Sequence, residues 1–153
     1  MQEMYTVLLG DIISFKNGKK KPSTEGSIPI YGGNGVLGYA NQGNYKNSII
    51  VGRVGAYCGS VYYEPQECWI SDNAIAAIPK PGTNLHFAFY LLKSLHLNSR
   101  HIGTSQPLLT QEILNSIECQ IPSLEVQEKV ASILASIDSK IETNNKINGN
   151  LLK

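Results

Sequence analysis

The sequence predicts a mixed α+β fold: a curled, mainly antiparallel and β-rich domain with short helices, followed by one long coiled-coil-type helix. Through the first two-thirds of the chain, short apolar and β-branched runs alternate with glycine and proline. Leucine and phenylalanine at helical spacing first appear after residue 84, and heptad spacing without proline begins at residue 123. Strands this short, with no helices between them, favour antiparallel pairing because parallel strands need long crossover connections.

Several segments before residue 80 have the composition of strands. They are MYTVLL, IPIYGG, NSIIVG, AYCGSVYYE, ECWIS and NAIAAIPK. The clearest is NSIIVG, which is β-branched and bounded by turn residues. Pro29 marks a strand start or an edge, and Glu64, Pro65 and Gln66 are expected to form a turn between two strands. The polar stretch KNGKKKPSTEGS is expected to be a loop.

Helices are expected after this region. NLHFAFYLLKSLHLNS has helical spacing behind Asn84, a favourable N-cap, and TQEILNS is expected to form a short helix capped by Thr110. The segment IECQIP then reads as a strand that ends at Pro122.

A long helix is predicted from Ser123, which would cap it, with Glu125 favourably placed in the first turn. A 4-3 seam runs along it, in which Lys140 fills one gap and Ile141 lies beside the seam; its members are Val126, Val130, Ile133, Ile137, Asn144, Ile147 and Leu151. About 29 residues at 1.5 Å each make a rod roughly 43 Å long, which would overhang a small domain. We therefore divide the chain into a domain of residues 1–122 and a helix of residues 123–153 whose seam meets another helix. The alternative is an ordinary amphipathic helix packed on its own domain.

The composition is that of a folded protein. Of 153 residues, 42% are hydrophobic and 16% charged, and no apolar run approaches the ~20 residues that span a bilayer. No signal-peptide pattern opens the chain. The odd number of cysteines, without a C-x-x-C pair, indicates buried thiols in a reducing cytoplasm; they are Cys58, Cys68 and Cys119.

The net charge of +1 hides an asymmetry. Residues 1–57 carry six basic and three acidic side chains, a balance of +3, whereas residues 58–153 carry seven and nine, a balance of −2. A positive front and a mildly acidic back suit a protein that meets a polyanion with one end and protein with the other.

The stretch YGGNGVLGYANQG contains a literal G-x-G-x-x-G between Gly33 and Gly38. A dinucleotide site needs a helix directly after these glycines and an acid about 20 residues on. A polar, turn-rich stretch and then another strand follow instead, and Arg53 stands near the expected acid position. Two interpretations remain: glycine-rich turns under packed tyrosines, or tight turns that let asparagine, glutamine and arginine approach nucleic acid.

Catalytic and metal-binding patterns are absent from the sequence. The three histidines lack metal spacing, no nucleophile elbow occurs, and no cysteine is paired with an obvious base. Glu67 and Asp72 are the nearest approach to paired carboxylates, but no acid-x-lysine follows. We expect no metal and no cofactor.

Four segments together resemble one family. IPIYGGNGVLGYANQ, IIVGRVGAYCGSVYYE, WISDNAIAAIP and IGTSQPLLTQEILNSIECQIPSLEVQEKVASILASIDSKIE follow one another as in the specificity subunits of type I restriction–modification systems. The last segment is the most specific, with its Gly-Thr-Ser-Gln-Pro turn, short helix, strand to Ile-Pro and helix with the Ile137-Asp138 step.

The resemblance implies a target-recognition domain that reads half of a bipartite site in double-stranded DNA and a spacer helix that docks methylation subunits, and with them a restriction subunit. Such subunits carry two domain–helix units, whereas this sequence has one. A half-length subunit, a truncated product and a single unit that dimerises through the helix stay open. The resemblance also implies no catalysis and no S-adenosylmethionine binding by this chain, because methylation and base flipping belong to the partner.

Candidate DNA contacts follow from the resemblance and from side-chain chemistry. Lysines are suited to phosphates, and amides and arginine to groove contacts. The phosphate candidates are Lys19, Lys20, Lys21 and Lys46, and the groove candidates are Asn34, Asn41, Arg53 and Tyr57. Arg100 is a further phosphate candidate, and contact with DNA or bracing of the helix is open for Thr104, Ser105 and Gln106.

Two other classes of function remain. One is an assembly module that works through the long helix without DNA readout. The other is an autonomous enzyme that uses Glu67 and Asp72, or Cys58. Neither accounts for the basic front and the long helix together.

Overall fold

The structure is a computed structural model, and it describes residues 2–151. Its elements follow the chain in this order: β1 (Met4–Leu8), α1 (Leu9–Ile12), β2 (Ile13–Asn17), β3 (Ile28–Gly32), β4 (Gly35–Ala40), β5 (Tyr45–Gly52), β6 (Val61–Ile70), β7 (Ala74–Pro79), α2 (Leu85–Ser94), a short 3-10 helix (Leu97–Ser99), α3 (Gln111–Asn115), β8 (Glu118–Pro122) and α4 (Leu124–Leu151). The mixed α+β class and the long C-terminal helix are therefore as the sequence predicts.

One six-stranded sheet dominates the domain, with strand order β2-β7-β5-β6-β3-β4. Every neighbouring pair in it is antiparallel except β6 and β3. β1 and β8 form a separate antiparallel pair directly before α4. The pairing places β1 beside β8, so α4 begins directly after a strand that is held by backbone hydrogen bonds.

Alternation along the central strands divides the core into two. On β5, Ile49 and Val51 pack with the helices, while Ile50 between them packs against the other face of the sheet. On β7, Ile75 and Ala77 belong to the helix-covered core. Because successive side chains of a strand point to opposite faces, a strand buried on both faces is apolar at successive positions, as β5 and β7 are.

The sheet is curled. β2 lies at one edge, with β7 and β5 between it and β6. Nevertheless the chain just beyond β2 reaches the end of β6, where the Lys19 N–H donates to the Ile70 carbonyl (3.0 Å). The Gly18 N–H donates to the Ala74 carbonyl at 2.9 Å in the same place. The second core lies in this curl and includes Tyr31, Ile50, Cys68, Ile70, Ala74 and Ala76.

The predicted turn at Pro65 is wrong, because β6 is continuous from Val61 to Ile70. In β5, Lys46 pairs with Glu67 and Ser48 with Glu64, so two residues of β6 oppose one residue of β5. Pro65 thus lies in a β-bulge, where its missing N–H interrupts no regular ladder.

Three other boundaries differ from the prediction. The strand predicted from Ala56 begins only at Val61, because the residues before it form a turn. The loop predicted from residue 16 begins later, because β2 continues to Asn17. The helix after Asn84 ends at Ser94 rather than near residue 99, since His96 adopts a left-handed conformation (φ 51°) before the 3-10 helix. A left-handed residue ends an α-helix.

α4 has 28 residues, about 42 Å at the helical rise. Its first half packs on the domain through Gln127 and Ala131, which are buried, while every residue from 139 to 151 is exposed. The far half therefore projects from the domain.

Candidate nucleic-acid interface

The glycines of the G-x-G-x-x-G stretch form a tight hairpin. Gly33 and Asn34 are the turn between β3 and β4, and β4 follows directly at Gly35. A Cβ on Gly33 would stand 2.9 Å from the Val54 carbonyl oxygen, so glycine allows this turn to lie against the loop after β5. No helix follows the glycines, as we expected, and Asn34 is exposed at the tip.

Arg53 is the first residue after β5, and it is anchored to the turn between β6 and β7. Its N–H donates to the Asn73 carbonyl (2.9 Å), and its Nη1 donates to the Asp72 carbonyl (3.0 Å). The guanidinium is only partly buried, so its remaining donors stay available to a ligand. Tyr57, four residues on, is 55% exposed.

The family-like Gly-Thr-Ser-Gln-Pro turn lies against this same loop. The Gly55 N–H donates to the Pro107 carbonyl (3.0 Å), and the Leu109 N–H donates to the Arg53 carbonyl (2.8 Å). Ile102 and Leu108 form an antiparallel bridge that closes the turn. The three candidates between them are exposed; they are Thr104, Ser105 and Gln106.

The lysine loop, residues 18–27, forms a second group of candidates. Lys19, Lys20 and Lys21 are exposed, and the Trp69 indole N–H donates to the Lys19 carbonyl (3.0 Å). Further along, the Thr24 hydroxyl bonds Asn41 (2.5 Å), so the loop reaches the end of β4.

Lys46 is also exposed, although it pairs across the strands with Glu67. Within residues 2–151 none of these lysines forms an ion pair, since the pairs present are Lys129–Glu125 and Lys146–Glu142 on α4. Their charges remain available to phosphate.

The turn of residues 71–73 joins the two groups. Arg53 contacts it from one side, and Gly18 and Lys19 bond the residues flanking it from the other. We call the combined region the loop surface; its candidates are Lys19, Lys20, Lys21, Asn34, Asn41, Lys46, Arg53, Tyr57, Thr104, Ser105 and Gln106. Contacts far apart in sequence thus bring ten of the twelve predicted DNA contacts onto connected loops and turns, while Lys46 lies at the start of β5.

Arg100, the twelfth candidate, is exposed. Its Nε donates to the Leu95 carbonyl (3.0 Å) at the C-terminal end of α2. A cation there complements the helix dipole, a role that does not require DNA.

Sequence reasoning missed Asn44, which holds the region together. Its Oδ1 accepts from the Ile70 N–H (2.8 Å), and its Nδ2 donates to the Ile70 carbonyl (3.2 Å). One side chain therefore satisfies both backbone groups at the end of β6. The signal available was an asparagine directly before a strand, a position at which its amide commonly replaces backbone pairing.

The environment of the thiols disfavours nucleophilic chemistry. Burial raises the pKa of the Cys58 thiol, and burial with nearby Glu64 and Glu67 raises the pKa of Cys68 to about 12. A protonated thiol is a poor nucleophile. Glu67 and Asp72 are both exposed, and Glu67 accepts from the Gly43 N–H (3.0 Å). Among the described residues no group of His, Cys, Asp or Glu side chains could hold a metal.

The heptad seam of α4 faces away from the domain. Ile133 is 61% exposed and Ile137 48% exposed, and Val130, Ile147 and Leu151 are exposed as well. Asn144 is exposed and Val126 partly so. A different face packs on α2, where the Tyr90 hydroxyl donates to Asp138 (2.6 Å). A stripe of exposed isoleucines is typical of a surface that binds another protein.

This fold is that of specificity subunits from type I restriction–modification systems. An S subunit from M. genitalium superposes with a TM-score of 0.83 at 22% identity, over 93% of this chain and 41% of that one. The HsdS subunit of Thermoanaerobacter tengcongensis gives a TM-score of 0.67 at 16% identity, over 92% of this chain and 38% of that one.

The chain belongs to the type I restriction modification DNA specificity domain family, whose profile matches residues 1–153. The Escherichia coli EcoprrI specificity subunit is 29% identical over 138 residues, 90% of this chain and 34% of the relative. A putative type I specificity subunit of Mycoplasma pneumoniae is 26% identical over 136 residues, 86% of this chain and 37% of the relative. The chain thus spans about a third to a half of the length of the relatives it matches. Among the described residues no helix is long and apolar enough to cross a membrane.

Proposed function

We propose that this chain is a non-catalytic target-recognition unit of a type I restriction–modification system. Residues 1–122 would read half of a bipartite site in double-stranded DNA, and residues 123–153 would form the spacer helix that docks a methylation subunit and, through it, a restriction subunit. Family membership and the exposed seam of α4 support the docking role. The observation that carries DNA binding is the loop surface, which joins lysine, amide and arginine donors on connected parts of the domain.

The chemistry of the loop surface fits a division between positioning and reading. Lys19, Lys20, Lys21 and Lys46 would neutralise phosphates, which gives affinity without sequence information. The amides of Asn34 and Asn41 each carry a donor and an acceptor, and Arg53 carries paired donors, all suited to base edges; Tyr57 offers an exposed ring and hydroxyl. Methyl transfer would be left to the methylation subunit, so this chain needs no cofactor.

A second function, an assembly module without DNA readout, is favoured by one observation. The isoleucines of α4 are exposed, and they would form a protein-binding surface that does not depend on the loops. The two functions differ in DNA affinity, which distinguishes them.

The test compares two doubly substituted chains in complex with the cognate methylation subunit. Lys20→Ala with Lys21→Ala removes charge from the loop surface, and Lys129→Ala with Lys146→Ala removes the same charge from α4. Fluorescence anisotropy with duplex DNA over a salt series gives the slope of log affinity against log salt. We expect the slope to become shallower in the first chain only, by about 0.9 for each phosphate that its lysines no longer neutralise.

Equal slopes in both substituted chains would reject the phosphate role of the lysine loop. Methylation-subunit binding with no DNA affinity at any salt concentration would instead establish the assembly module.

A further inference from the structure

Gln127, on the first turns of α4, is a polar side chain that is almost completely buried, at 1% exposure. Its Oε1 accepts from the Asn84 N–H (3.0 Å), and its Nε2 donates to the carbonyls of Pro122 (3.0 Å) and Gly82 (3.4 Å). One amide therefore ties α4 to the loop before α2 and to the end of β8. A buried polar group satisfied on both sides contributes specificity of arrangement, because an alternative arrangement leaves its partners unpaired.

Asn84 extends this connection into α2. Its backbone N–H is held by Gln127, while its side chain accepts from the Phe87 N–H (2.9 Å) and caps α2. The start of α2 and the start of α4 therefore form one hydrogen-bonded unit. Its partners are backbone amides and carbonyls, none of which titrates.

A second contact lies further along the same face of α4. Tyr90 of α2 donates to Asp138, eleven residues or about three turns after Gln127. Beyond Asp138 every described residue of α4 is exposed. The direction of the projecting half is consequently set by how the first half of α4 packs on the domain. Gln127 and Ala131 are the buried residues of that half, and of the two only Gln127 has a side chain that can form hydrogen bonds.

We propose that Gln127 is a positioning residue that fixes the angle at which α4 leaves the sheet domain. It thereby sets the distance between the loop surface and any protein partner that binds to residues 139–151 of α4. The consequence for DNA spacing rests on the proposed function, whereas the angle itself does not require DNA.

Substitution of Gln127 by glutamate separates the effect of its hydrogen bonds from the effect of its shape. Gln127→Glu keeps the shape but places a carboxylate oxygen opposite the carbonyls of Pro122 and Gly82, which repel it. Burial beside two carbonyls raises the pKa of such a carboxyl, so acid protonates it and restores a donor. Gln127→Met fills similar space and has no donor at any pH.

The angle is measured as a distance between spin labels at Glu112→Cys on α3 and Asn148→Cys on α4, both at exposed positions. The native thiols are buried and stay unlabelled; they are Cys58, Cys68 and Cys119. We expect one narrow distance distribution in the chain with Gln127 intact at pH 8 and pH 5. Gln127→Glu should shift or broaden it at pH 8 and recover at pH 5, and Gln127→Met should change it at both. Glu128→Gln, an exposed neighbour, is the control and should match the intact chain.

An unchanged distribution in Gln127→Glu at pH 8, or a broad one in the intact chain, would overturn the proposal. Should the Gln127 variants not fold, amide exchange in the intact chain decides. The Asn84 N–H must then exchange as slowly as the core amide of Ile50, and exchange at the rate of exposed loops overturns the proposal.

The consequence for DNA spacing is tested with the complex of this chain and the methylation subunit. The complex is bound to bipartite duplexes whose two halves are separated by spacers of different length. Gln127→Glu at pH 8 should lose the preference for one spacer length and keep the preference for the half-site sequence. An unchanged spacer preference would overturn the link to DNA spacing. An intact chain that binds no DNA, but whose distances behave as expected, would refute the proposed function and leave the positioning role standing.

Discussion

Two glycines with positive φ bracket the loop that carries Tyr57, and they differ in what surrounds them. Gly55 (φ +86°) has open space where a Cβ would lie, whereas a Cβ on Gly59 (φ +88°) would stand 2.4 Å from the Asn98 N. Gly55→Ala should lower the free energy of unfolding by about 1 kcal/mol, the strain of the left-handed conformation alone. Gly59→Ala adds a steric clash with backbone and should cost about 3 kcal/mol or more.

Urea unfolding followed by circular dichroism measures both variants. Equal effects on the free energy of unfolding would mean that the 3-10 helix moves away from residue 59 without cost, and that the loop is not held against it.

Arg53 combines a structural bond with the chemistry of base reading, and substitution separates the two. Arg53→Ala should cost about 1–3 kcal/mol of discrimination at one base pair, because alanine cannot make a bidentate hydrogen bond. It should also weaken the domain, since the Asp72 carbonyl loses its partner. Arg100→Ala removes a similar arginine–carbonyl bond at the end of α2 and is the matched control for stability; because Arg100 is a phosphate candidate, its loss should weaken binding to all sequences alike and leave discrimination unchanged.

Binding to a panel of single-base variants of the target, beside urea unfolding of both chains, provides the measurement. If Arg53→Ala weakens binding to every sequence equally, Arg53 is a phosphate contact or a structural residue.

At the residue scale, the sequence predicts a side-chain hydrogen bond where its partner is close in sequence. Asn84 and Thr110 cap α2 and α3 as predicted, accepting from N–H groups three residues on. The anchoring of Arg53 by Asp72, 19 residues away, could not be predicted because it depends on how β5 and β7 pair. The same holds for Gln127, whose partner Asn84 is 43 residues distant.

Among elements, period and composition predict most strands and both longer helices. Pro65 misled the prediction because proline, which lacks an N–H, usually interrupts strand pairing. Here it lies in a β-bulge, where no ladder hydrogen bond is lost, and only the register with β5 reveals that bulge. The short α1 and β2 are not predictable in the same way, since the run from Leu9 to Asn17 divides between two structures without a glycine or proline at the junction. Their boundary is set by pairing with β7, which sequence spacing does not show.

The seam of α4 supports a prediction at this scale. Ile137→Asp places a charge among the exposed isoleucines, and it should abolish association through α4 because burying an unpaired carboxylate in a helix interface is costly. Ser136→Asp introduces the same charge one position away, off the seam, and should leave association intact. Analytical ultracentrifugation of the chain alone and with the methylation subunit measures the effect, and circular dichroism verifies that both remain helical.

Association unchanged by Ile137→Asp would show that partners do not use the seam. Weaker association in both variants would indicate a general effect of charge on the helix.

For the whole molecule, a β-rich part followed by a long C-terminal helix is predictable because the periodicity of the sequence changes at Ser123. The curl of the sheet is predictable only as a tendency of short strands. In the structure, the curl brings the loop after β2 against the end of β6, where Lys19 bonds Ile70, although β2 and β6 are not neighbours in the sheet. That contact is also what joins the lysine loop to the turn beside Arg53, so the composition of the loop surface follows from topology rather than from local pattern.

The loop surface and the seam of α4 together lead to a prediction about the DNA site. If two copies associate through α4, a twofold axis relates their loop surfaces, and the pair should read an interrupted palindrome. Linking two recognition domains turns the second binding event into an intramolecular one, which can raise affinity by about 10²–10⁴-fold over a single half-site. Binding to duplexes with inverted half-sites, compared with direct repeats of the same halves at the same spacing, measures this gain. Equal affinity for both arrangements, or a strict monomer by sedimentation at high concentration, would contradict the twofold arrangement, because a symmetric pair of rigidly mounted domains cannot engage two halves that point the same way.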